Sequence, residues 1–99
     1  MLTREDILKY LEENKTAFFA DFKLVKLGLF GSFAQGEATD DSDIDILVEF
    51  QPDTENLLDK KNRIKRKLQH QFNREIDICR EKYIKPYFKA RILNAAIYV

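Results

Sequence analysis

Apolar positions follow two rhythms along this chain. Ile7, Leu8 and Leu11 recur at helical spacing, with Lys9, Glu12 and Glu13 on the wet side, and this predicts an amphipathic first helix. Thr3 followed by Asp6 forms a variant of the capping box that opens it, and Asn14 ends or bends it. Phe18, Phe19 and Phe22 follow in a short second helix and are expected to cover the core. The rhythm then changes. Over Leu24–Phe30, Val25, Leu27 and Leu29 alternate onto one face and Lys26 and Gly28 onto the other, which predicts a strand.

Gly31 permits a tight turn or a close backbone approach to a ligand. Residues 32–35 predict a short helix and residues 36–42 a polar loop. Alternation resumes over 43–50. Ile44, Ile46, Val48 and Phe50 make one fully apolar face, while Asp43, Asp45, Leu47 and Glu49 make a mixed one. Such a strand belongs to a sheet covered on one side. Pro52 breaks it, and Asp53 or Thr54 is placed to cap the next helix. That helix buries Leu57, Ile64, Leu68 and Phe72, with Lys61 at its edge. It turns Lys60, Arg63, Lys65, Arg66 and Lys67 outward, as a solvated basic face. Residues 74–79 predict a third strand, with Ile76 and Ile78 facing one way and Glu75, Asp77 and Cys79 the other. Pro86 suits the first turn of a last helix, docked by Tyr87, Ile92 and Ala95 or Ala96. Ile97 and Val99 give an apolar end expected to pack.

At 99 residues the chain is expected to form a single domain, 1–99, with one modest core. Seventeen basic and seventeen acidic side chains cancel, so the overall charge offers no drive toward nucleic acid, and direct nucleic-acid binding is not expected. The single Cys79 excludes an internal disulfide and fits a reducing compartment. No apolar run is long enough for a membrane span and no signal peptide is visible, so a cytoplasmic location without membrane contact is expected.

The chemistry gathers between the first two strands. Residues two apart in a strand point to one side, so Asp43 and Asp45 set two carboxylates together. That is costly unless a cation lies between them, and hard divalent cations such as magnesium are held by carboxylates plus substrate phosphates. If the third strand pairs beside the second, Asp77 joins them on the open face. The Gly31-Ser32 turn can offer backbone N–H groups to a phosphate. Three carboxylates beside a phosphate turn suit phosphoryl or nucleotidyl transfer. There, metal ions screen an anionic nucleoside triphosphate, one activating the attacking hydroxyl and one stabilising the leaving oxygens. So small a domain leaves little chain for a second substrate pocket, so the acceptor is expected to arrive on another molecule.

Gly31-Ser32, ten residues, then Asp43-Ile44-Asp45 resembles the signature of the DNA polymerase beta-like nucleotidyltransferase superfamily. The flanking Leu29-Phe30, Phe33-Ala34, Gly36-Glu37-Ala38 and Ile46-Leu47-Val48 resemble the minimal nucleotidyltransferases of MntA type. So do Ile76-Asp77-Ile78, Tyr83-Ile84-Lys85-Pro86-Tyr87 and Ala96-Ile97-Tyr98-Val99. The resemblance implies an α+β fold, a small mixed β-sheet with flanking helices, and MgATP on the open face, with two magnesium ions expected. It makes Asp43, Asp45 and Asp77 the catalytic and metal-binding triad, and Gly31, Ser32 and Gln35 nucleotide contacts. Where the family commonly has arginine this chain has Gln35, which offers neutral rather than charge-assisted hydrogen bonds. The family often supplies the antitoxin of a two-gene pair, moving AMP from ATP to a tyrosine of a HEPN-type, HepT-like RNA-cleaving toxin. Two other readings stand beside this one: a nucleotide-binding module that blocks its partner stoichiometrically, and a nucleotidyltransferase acting on a small molecule.

Overall fold

Four strands and five α-helices alternate irregularly along the chain in a computed structural model that describes residues 1–99. Helices α1 (Arg4–Glu13) and α2 (Lys15–Phe22) lead into β1 (Leu24–Phe30), the short α3 (Gly31–Gln35) and β2 (Ile44–Phe50). Helix α4 (Leu57–Phe72) leads to β3 (Ile76–Arg80), and a 3-10 turn (Glu81–Tyr83) leads to α5 (Pro86–Ala95) and β4 (Ile97–Tyr98). The sheet order is β3-β2-β1-β4. β1 lies antiparallel to both β2 and β4, and β2 lies parallel to β3. The parallel pair is joined through α4, because parallel neighbours need a long crossover. This is the expected α+β architecture with a small mixed sheet.

One core accounts for most of the burial. Ile44, Ile46, Val48 and Phe50 from β2, with Leu27 and Leu29 from β1 and Ile76 from β3, meet Ile7, Leu11, Phe18, Phe22, Ile64 and Leu68 of the helices. Fully burying a side chain of this size contributes about 1.5–3 kcal/mol. The capping box at Thr3 is present, with the Asp6 amide donating to Thr3 Oγ1 at 3.2 Å and the Thr3 amide donating to Asp6 Oδ2 at 3.0 Å. Ile97 and Val99 pack against the core, as their apolar character implies. No helix is long and apolar enough to cross a membrane.

Several local expectations are corrected. A register shift between Leu24 and Lys26 places a bulge in β1, so Leu24 is buried and Val25 is 47% exposed. An extra residue in one strand reverses the inside–outside alternation on one side of it. β2 begins at Ile44, so Asp43 stands just before the strand, and β3 runs two residues later than expected at its start. Neither Asp53 nor Thr54 caps α4. Asn56 is its N-cap in a left-handed conformation, and Thr54 Oγ1 instead donates to the Gln51 carbonyl at 2.6 Å. Leu47, expected on an uncovered face, is 1% exposed, and the 3-10 turn contacts β2. Tyr87, expected to dock α5, is 74% exposed.

Candidate active site

The parallel register of β2 and β3 sets Asp45 directly opposite Asp77. Ile44 and Ile46 pair with Ile76 and Ile78 and are buried on the helix side, which turns both aspartates to the other face. Asp43 is exposed at the entry to β2, where the next residue is fixed by Ile44 N–H donating to the Glu75 carbonyl at 3.0 Å. All three carboxylates expected from the sequence therefore lie at one end of the β2–β3 pair.

β1 ends where that end begins. Phe30 pairs with Asp45, and the chain turns at once into α3 through Gly31, whose φ is +72°. A side chain on Gly31 would collide with Asp45, because a Cβ there would lie 2.9 Å from the aspartate Cγ and closer still to Oδ2. The glycine thus does two things: it takes the left-handed conformation and it makes room for a carboxylate. Ser32 follows, half-buried, in the first turn of α3, where backbone N–H groups lack helical acceptors. Gln35 ends α3 and is exposed. The helix is short but anchored: Phe33 and Ala34 are buried, Arg4 Nη1 donates to the Ala34 carbonyl at 3.0 Å, and Gly36 closes the C-terminus at φ +74°.

The electrostatics are those of carboxylates without a counter-ion. None of the protein's ion pairs uses Asp43, Asp45 or Asp77. Burial, then the charges of Asp77 and Asp43, push the Asp45 carboxyl from 3.8 up to about 6. A divalent cation would reverse that effect, and an all-oxygen donor set suits magnesium or manganese. The room kept for the Asp45 carboxylate by Gly31 fits the same role. Asp43, Asp45 and Asp77 are not gathered tightly enough to hold a metal ion by themselves, as no three His, Cys, Asp or Glu side chains in the structure are. Nor do they line a pocket. The concavities of the surface lie beside the N-terminus, at the corner of α4 and β3, and beside α2.

The C-terminal segment adds a polar network that sequence patterning alone does not reveal. Glu81 accepts from Lys26 Nζ at 3.0 Å and from Tyr98 Oη at 3.0 Å, tying the 3-10 turn to β1 and β4. The Tyr98 ring lies over Gly28, where a Cβ would fall 2.9 Å from Cδ1. Glu49 accepts from Arg80 Nη2 at 2.6 Å and Nε at 2.8 Å, and from the Lys82 amide at 3.2 Å. The only sequence signal for these contacts is a glycine in an apolar strand, which marks a close approach without naming what approaches.

The nucleotidyltransferase domain family model matches residues 6–99. The protein adenylyltransferase MntA of Thermococcus cleftensis is 32% identical over 99 residues, spanning 100% of this chain and 98% of its own length. A solved structure assigned as a minimal nucleotidyltransferase superposes with a TM-score of 0.77 at 31% identity, covering 97% of this chain and 95% of its own. An antitoxin–toxin structure with AMP-PNP shares the fold, with a TM-score of 0.66 at 22% identity over 88% of this chain and 70% of that one. The chain belongs to the nucleotidyltransferase domain family, as a minimal nucleotidyltransferase of the polymerase beta-like superfamily and a homologue of the MntA-type protein adenylyltransferases.

Proposed function

We propose that this protein transfers AMP from ATP to a tyrosine of a separate partner, a HepT-like ribonuclease toxin, and thereby acts as its antitoxin. The observation that carries the reading is the placement of Asp45 opposite Asp77, with Asp43 near enough to act on the Asp45 charge, at one end of the β2–β3 pair beside the Gly31-Ser32 turn. Support also comes from the adenylyltransferase named among the relatives and from the toxin–antitoxin complex that shares the fold.

Asp43, Asp45 and Asp77 would hold magnesium, which when bound screens the triphosphate and favours ionisation of the acceptor hydroxyl. Gly31 and Ser32 present first-turn N–H groups to the phosphates, and Gln35 offers an exposed amide to the same ligand. Asp77 is exposed on the edge strand β3, and in this reading it would also accept the tyrosine proton. The tyrosine oxygen then bonds to the α-phosphorus as the bond to pyrophosphate breaks. An open shelf without a pocket suits an acceptor delivered by another protein.

Rescue of cells expressing a HepT-like toxin that binds this protein tests the reading. Asp43→Asn with Asp45→Asn, shown to be folded and still to bind the toxin, should fail to protect where the wild type protects. Full protection by that variant would favour stoichiometric blocking instead.

A further inference from the structure

We propose that Arg74 is a positioning residue that sets the Asp43 carboxylate and the phosphate turn in register; the inference rests on the transfer reading above. Residues 37–42 belong to no helix or strand, yet this loop delivers Asp43. Arg74 Nη1 donates to the Thr39 carbonyl at 3.0 Å and to the Ser42 carbonyl at 3.0 Å. These are the side-chain hydrogen bonds that reach the loop from outside it. The loop is closed on itself by Thr39 N–H donating to Ser42 Oγ at 2.8 Å and Ser42 N–H donating to the Thr39 carbonyl at 3.1 Å.

The same guanidinium lies over the Phe33 ring, 5.2 Å from its centroid. Arg74 therefore joins three carriers. Phe33 follows Ser32 in α3, Ser42 precedes Asp43, and Arg74 itself stands three residues before Asp77. It forms no ion pair with any carboxylate, so its charge is directed at carbonyl oxygens and a ring. A planar group that stacks while donating two hydrogen bonds is specific to arginine, and lysine cannot reproduce it.

The experiment compares wild type, Arg74→Ala and Arg74→Lys. It measures Mn2+ affinity by electron paramagnetic resonance without nucleotide, the thermal midpoint, and kcat and KM for AMP transfer. Residues that orient ligating groups change metal affinity or activity by about 10–100-fold when removed. Arg74→Ala is expected to weaken Mn2+ binding and lower kcat within that range at temperatures well below its midpoint, with Arg74→Lys closer to alanine than to wild type. Unchanged Mn2+ affinity and kcat in the folded variants would overturn the proposal. So would losses that vanish on cooling, which indicate a stability effect alone. If wild type transfers no AMP while Arg74→Ala still weakens Mn2+ binding, the positioning role stands and the transfer reading falls.

Discussion

The Asp45 carboxylate occupies the space that any side chain on Gly31 would need. Gly31 of the turn after β1 and Asp45 of β2 are thereby made interdependent. The same contact explains why a strand end, a left-handed glycine and a strand-borne carboxylate are found together.

Gly31→Ala and Gly36→Ala separate strain from collision. Both glycines have positive φ, near +72° and +74°, so each substitution costs roughly 1–2 kcal/mol of backbone strain. Only Gly31 has the Asp45 carboxylate in the way, whereas a Cβ on Gly36 meets nothing within 4 Å. Thermal unfolding should show both variants destabilised. AMP transfer and Mn2+ binding should be lost in Gly31→Ala and largely kept in Gly36→Ala.

Asp45→Asn should make the protein more stable at neutral pH while abolishing transfer. Asp45 holds its proton up to about pH 6 in the folded chain against 3.8 ordinarily. Between those values the folded state binds more protons than the unfolded state, so stability from this group falls as pH rises. The asparagine variant escapes that loss, by on the order of 1 kcal/mol at pH 7 once solvent screening of a half-exposed carboxylate is allowed for. Denaturant unfolding from pH 4 to 7 should show the two proteins converging at pH 4 and separating above it. A gap that persists undiminished at pH 4 would contradict the electrostatic cause.

Glu49 presents the opposite sign. Burial alone would raise its carboxyl, but the hydrogen bonds from Arg80 and from the Lys82 and Phe50 amides outweigh it and hold the group below its ordinary 4.5. Its contribution is full above that range and is lost as pH falls through the lower folded value. Glu49→Gln, which leaves a mostly buried Arg80 cation without its anion, should cost about 2 kcal/mol at pH 7. Acid titration followed by circular dichroism should bring variant and wild type together.

Tyr98 and Gly28 test whether the C-terminal segment is a fixed part of the sheet. A Cβ on Gly28 would lie 2.9 Å from the Tyr98 ring and 3.0 Å from the Ile97 carbonyl, a backbone atom that cannot step aside cheaply. Gly28→Ala should therefore release β4. Hydrogen exchange is expected to show lost protection at the Val99 amide, which donates to the Leu27 carbonyl at 3.0 Å, while β2 and β3 stay protected.

The sequence makes the site more legible than its surroundings. Alternation with buried isoleucines puts Asp45 and Asp77 on the same face once β3 neighbours β2, and the register of the pair, which the sequence does not give, sets them opposite. The β1 bulge is hidden, since Leu24 and Val25 are both apolar and either register reads as a strand. Helical spacing marks Tyr87 as an apolar position of α5 without saying whether it finds a neighbour, and it is exposed. Asp53, Thr54 and Asn56 are all capping residues, and the choice among them depends on a turn set by Gln51 and Thr54. Arg74 reads as one more surface cation until the loop, α3 and β3 are brought together in space.

Mass spectrometry of the partner tests the central claim most directly. A HepT-like toxin that binds this protein, incubated with it, ATP and magnesium, is expected to gain the mass of AMP on a tyrosine, with pyrophosphate released in equal amount. Asp43→Asn with Asp45→Asn should give no adduct. A stable complex that forms in full and shows no mass gain and no pyrophosphate would contradict the assignment of these three aspartates to nucleotidyl transfer.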